Sequence, residues 1–158
     1  MVRLLLRAKK NNTKKGIKSM KINLKELKYN ILDSLRDLGN NNNFLKFDMK
    51  QARNLLQTIK IIEKEYNEFE ELQNKIIELN GERDKENNLI FQENNGLKSV
   101  SIKKDKIKET QQKIEEAKDK EFEVNFEPIS YKFIEEKGIK ISNVKYLEAL
   151  DGIFIIDK

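Results

Sequence analysis

Between Asp48 and Asn80 the chain runs without Gly or Pro, and Ala52, Leu55, Ile59, Ile62, Tyr66, Phe69 and Ile76 recur at spacings of three and four. Only Gln73 breaks this seam, and the remaining positions are Lys, Glu, Asn and Gln, so the pattern predicts one amphipathic α-helix. At its full length such a helix would extend roughly 50 Å, beyond the ~30 Å of a small domain, so part of it should project and find a partner helix. Asp48 is the expected N-cap, with Gln51 three residues later to close a capping box, and Gly81 is the expected stop.

Upstream, a short extended piece begins at Met20 and leads to Asn23, which with Glu26 forms a second capping box. A helix is therefore predicted from Asn23, lined by Leu24, Leu27, Ile31, Leu35 and Leu38 and ended at Gly39. Asn40 to Asn43 read as a turn, whose four asparagines fit a codon bias as readily as a structural demand. Downstream of Gly81, the polar stretch 82–88 gives way to Leu89, Ile90 and Phe91, then Asn95-Gly96, then Leu97, Val100 and Ile102. Asn-Gly between two β-prone runs predicts a hairpin or an extended connection. A thinner helical stripe, Ile107, Thr110, Ile114 and Ala117, follows, and it should be stabilised by lying antiparallel on the long helix.

Beyond Glu121 the pattern changes. Phe122, Val124 and Phe126 alternate with polar residues as in a half-buried strand, ended by Pro128. Ser130 is placed to cap a helix over YKFIEEK closed by Gly138, and Ser142 to cap another carrying Val144, Leu147 and Leu150. The tail IFIID is strand-like. Extended pieces at Met20, Val124 and Ile155 are expected to form one small sheet. The fold class is α+β, mainly α: an antiparallel coiled-coil helical hairpin on a small compact α/β base. Residues 1–19 form a basic leader and 20–158 a single domain, divided into an N-terminal helix and turn (20–47), the hairpin arm (48–121) and the base (122–158).

Composition narrows the function. The chain has no Cys and no His. It therefore offers no thiolate, no disulfide, and none of the side chain that most often transfers protons near neutral pH or binds transition metals, and no enzyme activity is expected. The net charge of +5 is concentrated in the leader, which carries Arg3, Arg7, Lys9, Lys10, Lys14, Lys15 and Lys18 and no acid. The remainder is mildly acidic, so nucleic acid is an expected partner only through the leader. The apolar run Leu4 to Leu6 is too short to span a bilayer, and no membrane association is expected. Met20, opening MKIN, reads as the translational start, with a mitochondrial-type presequence as the alternative meaning of the basic segment.

No cofactor and no catalytic or metal site are expected. There is neither GxGxxG nor GxxxxGK[ST]. Glu63, Glu65, Glu68, Glu70 and Glu71 spread around their helix without a His and read as a solvated face; Asn40 to Asp48 lacks the acids of a calcium loop. Lys103, Lys104, Lys106 and Lys108 are followed by acids and read as a salt-laced helix start. The candidate partner-binding residues are Leu89, Ile90 and Phe91, at the far end of the arm where little chain remains to cover them.

The MKIN start, the two heptad-rich helices and the ending FEPISYKF, IKIS and LEALDGIF together resemble a family of small tailed-phage proteins from Gram-positive hosts, a domain of unknown function (family sixteen-seventeen). That resemblance covers roughly residues 20–158 and implies a phage or prophage protein in the cytoplasm of a bacterial host with an AT-rich genome; it carries no activity with it. The leader departs from it. The helix, hairpin and returning helix are also similar to a prefoldin-type chaperone arm, although the N-terminal helix and mixed C-terminal segment are not part of that plan. The expected function is accessory: binding a host or phage protein, for instance to inhibit a host enzyme or defence complex. The alternatives are a self-assembling structural or chaperone-like coiled-coil subunit, and a nucleic-acid-associated protein acting through the leader.

Overall fold

The computed structural model describes residues 19–157; residues 1–18 of the basic leader, on which the presequence reading falls, lie outside them. The described residues form a mixed α/β protein, mainly helical, with six α-helices and three two-stranded ladders. They divide into two compact units, one made of 19–65 and 121–157 and the other of 66–120.

In the first unit, β1 (Met20–Ile22) pairs antiparallel with β4 (Phe122–Val124). The register sets Met20 opposite Val124 and Ile22 opposite Phe122, all four buried, and leaves Lys21 opposite Glu123 in solvent, as period-two alternation requires. The expected three-piece sheet does not form. Ile155 instead belongs to β6 (Ile155–Ile156), which runs parallel to β5 (Ile129–Ser130) as a separate pair. Both residues of β6 are buried, and a segment buried on both faces suits a parallel pairing inside the core, not an edge of the β1–β4 ladder.

The helix predicted from Asn23 is also corrected. The capping box itself closes, with Glu26 N–H donating to Asn23 Oδ1 at 3.0 Å and Asn23 N–H to Glu26 Oε2 at 3.3 Å. It holds a single turn that buries Leu24 and Leu27, and α1 begins only at Ile31, ending at Leu38. Reciprocal caps satisfy orphan amides whatever follows, but propagation needs residues with something to bury. Lys28-Tyr29-Asn30 offers none, Tyr29 being 87% exposed, whereas Ile31, Leu35 and Leu38 are fully enclosed.

The asparagine run forms a short helix in place of the expected turn, α2 (Asn41–Phe44), whose N-cap Asn40 accepts from the amides of Asn42 and Asn43 at 3.0 Å each. The long helix α3 (Met49–Asn80) starts as expected, with Gln51 N–H on Asp48 Oδ1 at 2.7 Å and Asp48 N–H on Gln51 Oε1 at 3.0 Å. Its first half buries Ala52, Leu55, Thr58 and Ile62; Thr58 is fully enclosed while Ile59, which periodicity placed on the seam, is half-buried, and among the described residues the Thr58 hydroxyl has no hydrogen-bond partner.

Toward the C-terminus, Ser130 caps α5 (Tyr131–Lys137) by accepting from Phe133 N–H at 3.0 Å, and Gly138 ends it in the left-handed region. The cap of α6 (Val144–Leu150) is Asn143, not Ser142. Ser142 is drawn away by a stronger acceptor: its N–H and hydroxyl both donate to the Asp37 carboxylate at the end of α1, at 2.9 and 2.6 Å. This bond and that of Asn30 Nδ2 to the Lys145 carbonyl fasten α1 to α6.

The Tyr131 hydroxyl donates to Asp151 Oδ1 at 2.6 Å, and burial, followed by that carboxylate, pushes the phenol up to about 12. A phenol raised above its ordinary value stabilises the fold below pH 10, and that contribution is lost as the pH rises toward 12. Tyr131→Phe should therefore delete one phenolate transition near pH 12 and cost about 1 kcal/mol near neutrality. An absorbance titration combined with urea melts checks both; an unchanged titration would place the anomalous phenol elsewhere.

Candidate functional site

The second unit carries the region singled out by its apolar run. At the end of α3, Asn80 is buried and its carbonyl accepts from Lys103 N–H at 3.0 Å. Three segments then meet in a ring of main-chain bonds: Glu82 N–H to Ser101 O (2.7 Å), Ser101 N–H to Ile90 O (2.8 Å) and Ile90 N–H to Glu82 O (2.9 Å). Ser101 Oγ reinforces the ring by donating to Glu82 Oε1 at 2.9 Å. An ordinary two-stranded hairpin is marginal in water, and this ring ties its base to the helix end.

Within the loop 84–88, the Asp84 carboxylate accepts from the amides of Glu86 and Asn88 at 2.9 and 3.0 Å, and Arg83 Nη1 donates to the Asn87 carbonyl at 2.9 Å. Asp84 thus organises the polar stretch through an Asx turn. The hairpin follows, β2 (Phe91–Asn94) antiparallel to β3 (Leu97–Val100), turned by Asn95 and Gly96 at φ 53° and 79°. Positive φ at both central residues matches the right-handed twist of the strands.

Pairing sets Phe91 opposite Val100 on one face, with Leu89 two residues before Phe91 on the same side, while Ile90 and Leu97 lie on the other. Of the three predicted residues, Leu89 is half-buried, and it crowds Gly81 from the same side as Val100. Ile90 is 38% and Phe91 59% exposed. The apolar run alone missed Leu97, which is 75% exposed, and Leu79, 79% exposed in the last turn of α3. The missed signal was that a lone hairpin has two faces and nothing in its own sequence to cover the second.

Helix α4 (Ile107–Ala117) follows a 3-10 turn at Lys104–Lys106. Thr110 is buried and Ile114 and Ala117 are half-buried, as the stripe predicts, but Ile107 is 45% exposed. Lys106 and Lys113 each reach Glu109 at 3.0 Å, and these bonds, Lys106 first, hold its carboxyl below the usual range. Beyond α4, Lys118 Nζ sits 5.7 Å over the Phe69 ring and Lys120 reaches Glu68 at 3.4 Å. The chain after the hairpin therefore meets α3 at Asn80 and again at Phe69.

Glu63 and Glu68 of the acidic series are engaged by Arg36 and Lys120, and among the described residues no group of three or more acids is placed to hold a metal ion. Two shallow grooves mark the first unit, about 200 Å3 beside Tyr29 and Lys145 and about 260 Å3 beside Lys21 and Phe122, both below the size usual for small-molecule sites. Among the described residues no helix is long and apolar enough to cross a membrane. No protein-family model matches the chain, and neither a curated protein nor a solved structure matches it.

Proposed function

We propose that the protein works by binding another protein through the tip formed by residues 79–101, as a small phage or prophage accessory factor, without catalysing a reaction. The observation that carries this is the exposure of Ile90, Phe91 and Leu97 on a hairpin held to its helix by a ring of backbone bonds. A preorganised scaffold presenting apolar side chains loses little entropy on docking, and a few such anchors supply most of an interface's energy. The phage assignment rests on the resemblance of the C-terminal sequence. Residues 66–120 act in this reading as an antiparallel coiled-coil arm, supported by the contacts of Lys103 with Asn80 and of Lys118 and Lys120 with Phe69 and Glu68.

Substituting Ile90, Phe91 and Leu97 together by serine, and leaving Leu89 because it packs on Gly81, should abolish partner capture without changing helix content. Capture that survives in a variant with unaltered circular dichroism rules out the tip. A second reading, self-assembly, is favoured by one specific observation: β2 and β3 each have an outer edge with no strand paired to it among the described residues. Free edges invite pairing with another copy. Mass per particle separates the two readings.

A further inference from the structure

Three dipeptides in the chain place Asn or Asp before Gly: Asn80-Gly81, Asn95-Gly96 and Asp151-Gly152. In such pairs the glycine amide nitrogen can reach the preceding side-chain carbonyl carbon, since no Cβ shields the approach. The fold treats the three differently. Asn80 is 8% exposed at the end of α3, and a Cβ on Gly81 would meet Leu89 Cδ2 at 2.7 Å, so the pair is enclosed. At Asp151 the carboxylate holds the Tyr131 hydroxyl, and Gly152 N–H is committed to the Ile155 carbonyl at 2.7 Å. Asn95 and Gly96 are both exposed, and among the described residues nothing lies within 4 Å of a Cβ built on Gly96 and its N–H enters no backbone hydrogen bond outside the helices and strands.

We propose that Asn95 is a spontaneous modification site, at which the side-chain amide is lost through a succinimide to give aspartate and isoaspartate. The Gly96 nitrogen attacks Asn95 Cγ, forming an N–C bond; the Cγ–Nδ2 bond breaks, and ammonia leaves carrying the proton released from the Gly96 amide. Solvent water then opens the five-membered ring at either of its two carbonyls, restoring an ordinary aspartyl linkage or routing the main chain through Cβ. The second product adds one backbone atom to a two-residue turn whose flanking pair is Asn94 and Leu97, so the hairpin cannot close in its original register. Either product also places a new carboxylate two residues from Glu93. The site thus limits the lifetime of the tip conformation, and this inference stands independently of any partner.

The test is timed incubation of the full chain in warm, mildly alkaline buffer, followed by peptide mass spectrometry and labelling with an isoaspartate methyltransferase. The peptide containing Asn95 should gain about 1 Da and split into two chromatographic species. Its rate should exceed that at Asn80 by at least about tenfold while the protein is folded, because reaction at Asn80 requires local opening. In denaturant the two rates should converge, and Asn95→Gln should abolish the folded-state signal. Absence of modification at Asn95 over a period in which the denatured chain reacts at Asn80, or equal rates at both sites in the folded protein, would overturn the proposal.

Discussion

Asn43→Ala is expected to cost about 3 kcal/mol of folding stability, an effect as large as removing a core aliphatic side chain. Asn43 is 1% exposed, and every polar atom of its side chain is used. Its Nδ2 donates to the carbonyls of Asp37 (3.2 Å) and Lys140 (2.6 Å), and its Oδ1 accepts from Lys140 N–H at 2.9 Å. Alanine would leave the paired main-chain groups of Lys140 facing a small void with no replacement partner, and an unsatisfied buried group costs about 1–3 kcal/mol. The Asp37 carbonyl keeps its bonds from Asn40 N–H and Nδ2, so the loss concentrates at Lys140. Asn42→Ala is the matched comparison: it lies in the same run, is exposed and offers only its main chain to the cap, so it should change stability by no more than about 0.5 kcal/mol. Urea melts of the two variants check this. Equal midpoints would mean that the asparagine run is a compositional accident after all.

Gly81→Ala should destabilise the second unit by about 2 kcal/mol without disturbing the first. Gly81 is not in the left-handed region that usually selects glycine after a helix; its requirement is for space. An added Cβ would stand 2.7 Å from Leu89 Cδ2, 2.8 Å from Val100 Cγ1 and 3.2 Å from the Ile77 carbonyl. Leu89 can swing away, but Val100 is β-branched and has little rotamer freedom, so the strands must move apart. That movement opens the ring joining Glu82, Ile90 and Ser101, and hydrogen exchange should report loss of protection there while Leu35 and Phe154 keep theirs. Unchanged protection across 82–101 would show that the hairpin base does not depend on this approach.

Local signals were legible in the sequence where both partners lie within a turn of each other. The capping box of Asp48 and Gln51, the Ser130 cap, the Asn95-Gly96 hairpin and the alternation over 122–124 are all formed as the spacing predicts. The box at Asn23 formed too, yet its helix did not, because burial and not capping decides how far a helix runs. Features fixed by distant chain were hidden. Nothing near Asn43 announces a partner 97 residues away, and Ser142 carries the same local cap signature whether or not Asp37 stands opposite. Thr58 was hidden for another reason: hydropathy scores it as polar, while its position on the seam buries it completely. At the candidate site the apolar run was visible as Leu89 to Phe91, but sequence could not tell that Leu89 turns inward against Gly81 while Leu97, on the other strand, turns out.

Native mass spectrometry of the chain purified from a low-GC bacterial host, run beside the Ile90, Phe91 and Leu97 serine variant, tests the binding role of the tip most directly. One chain plus one additional polypeptide on the wild type, and the bare chain alone for the variant, is the expected result. The same added mass on both proteins, or a clean multiple of the chain mass on the wild type, would contradict a partner-binding tip, and the multiple would favour self-assembly.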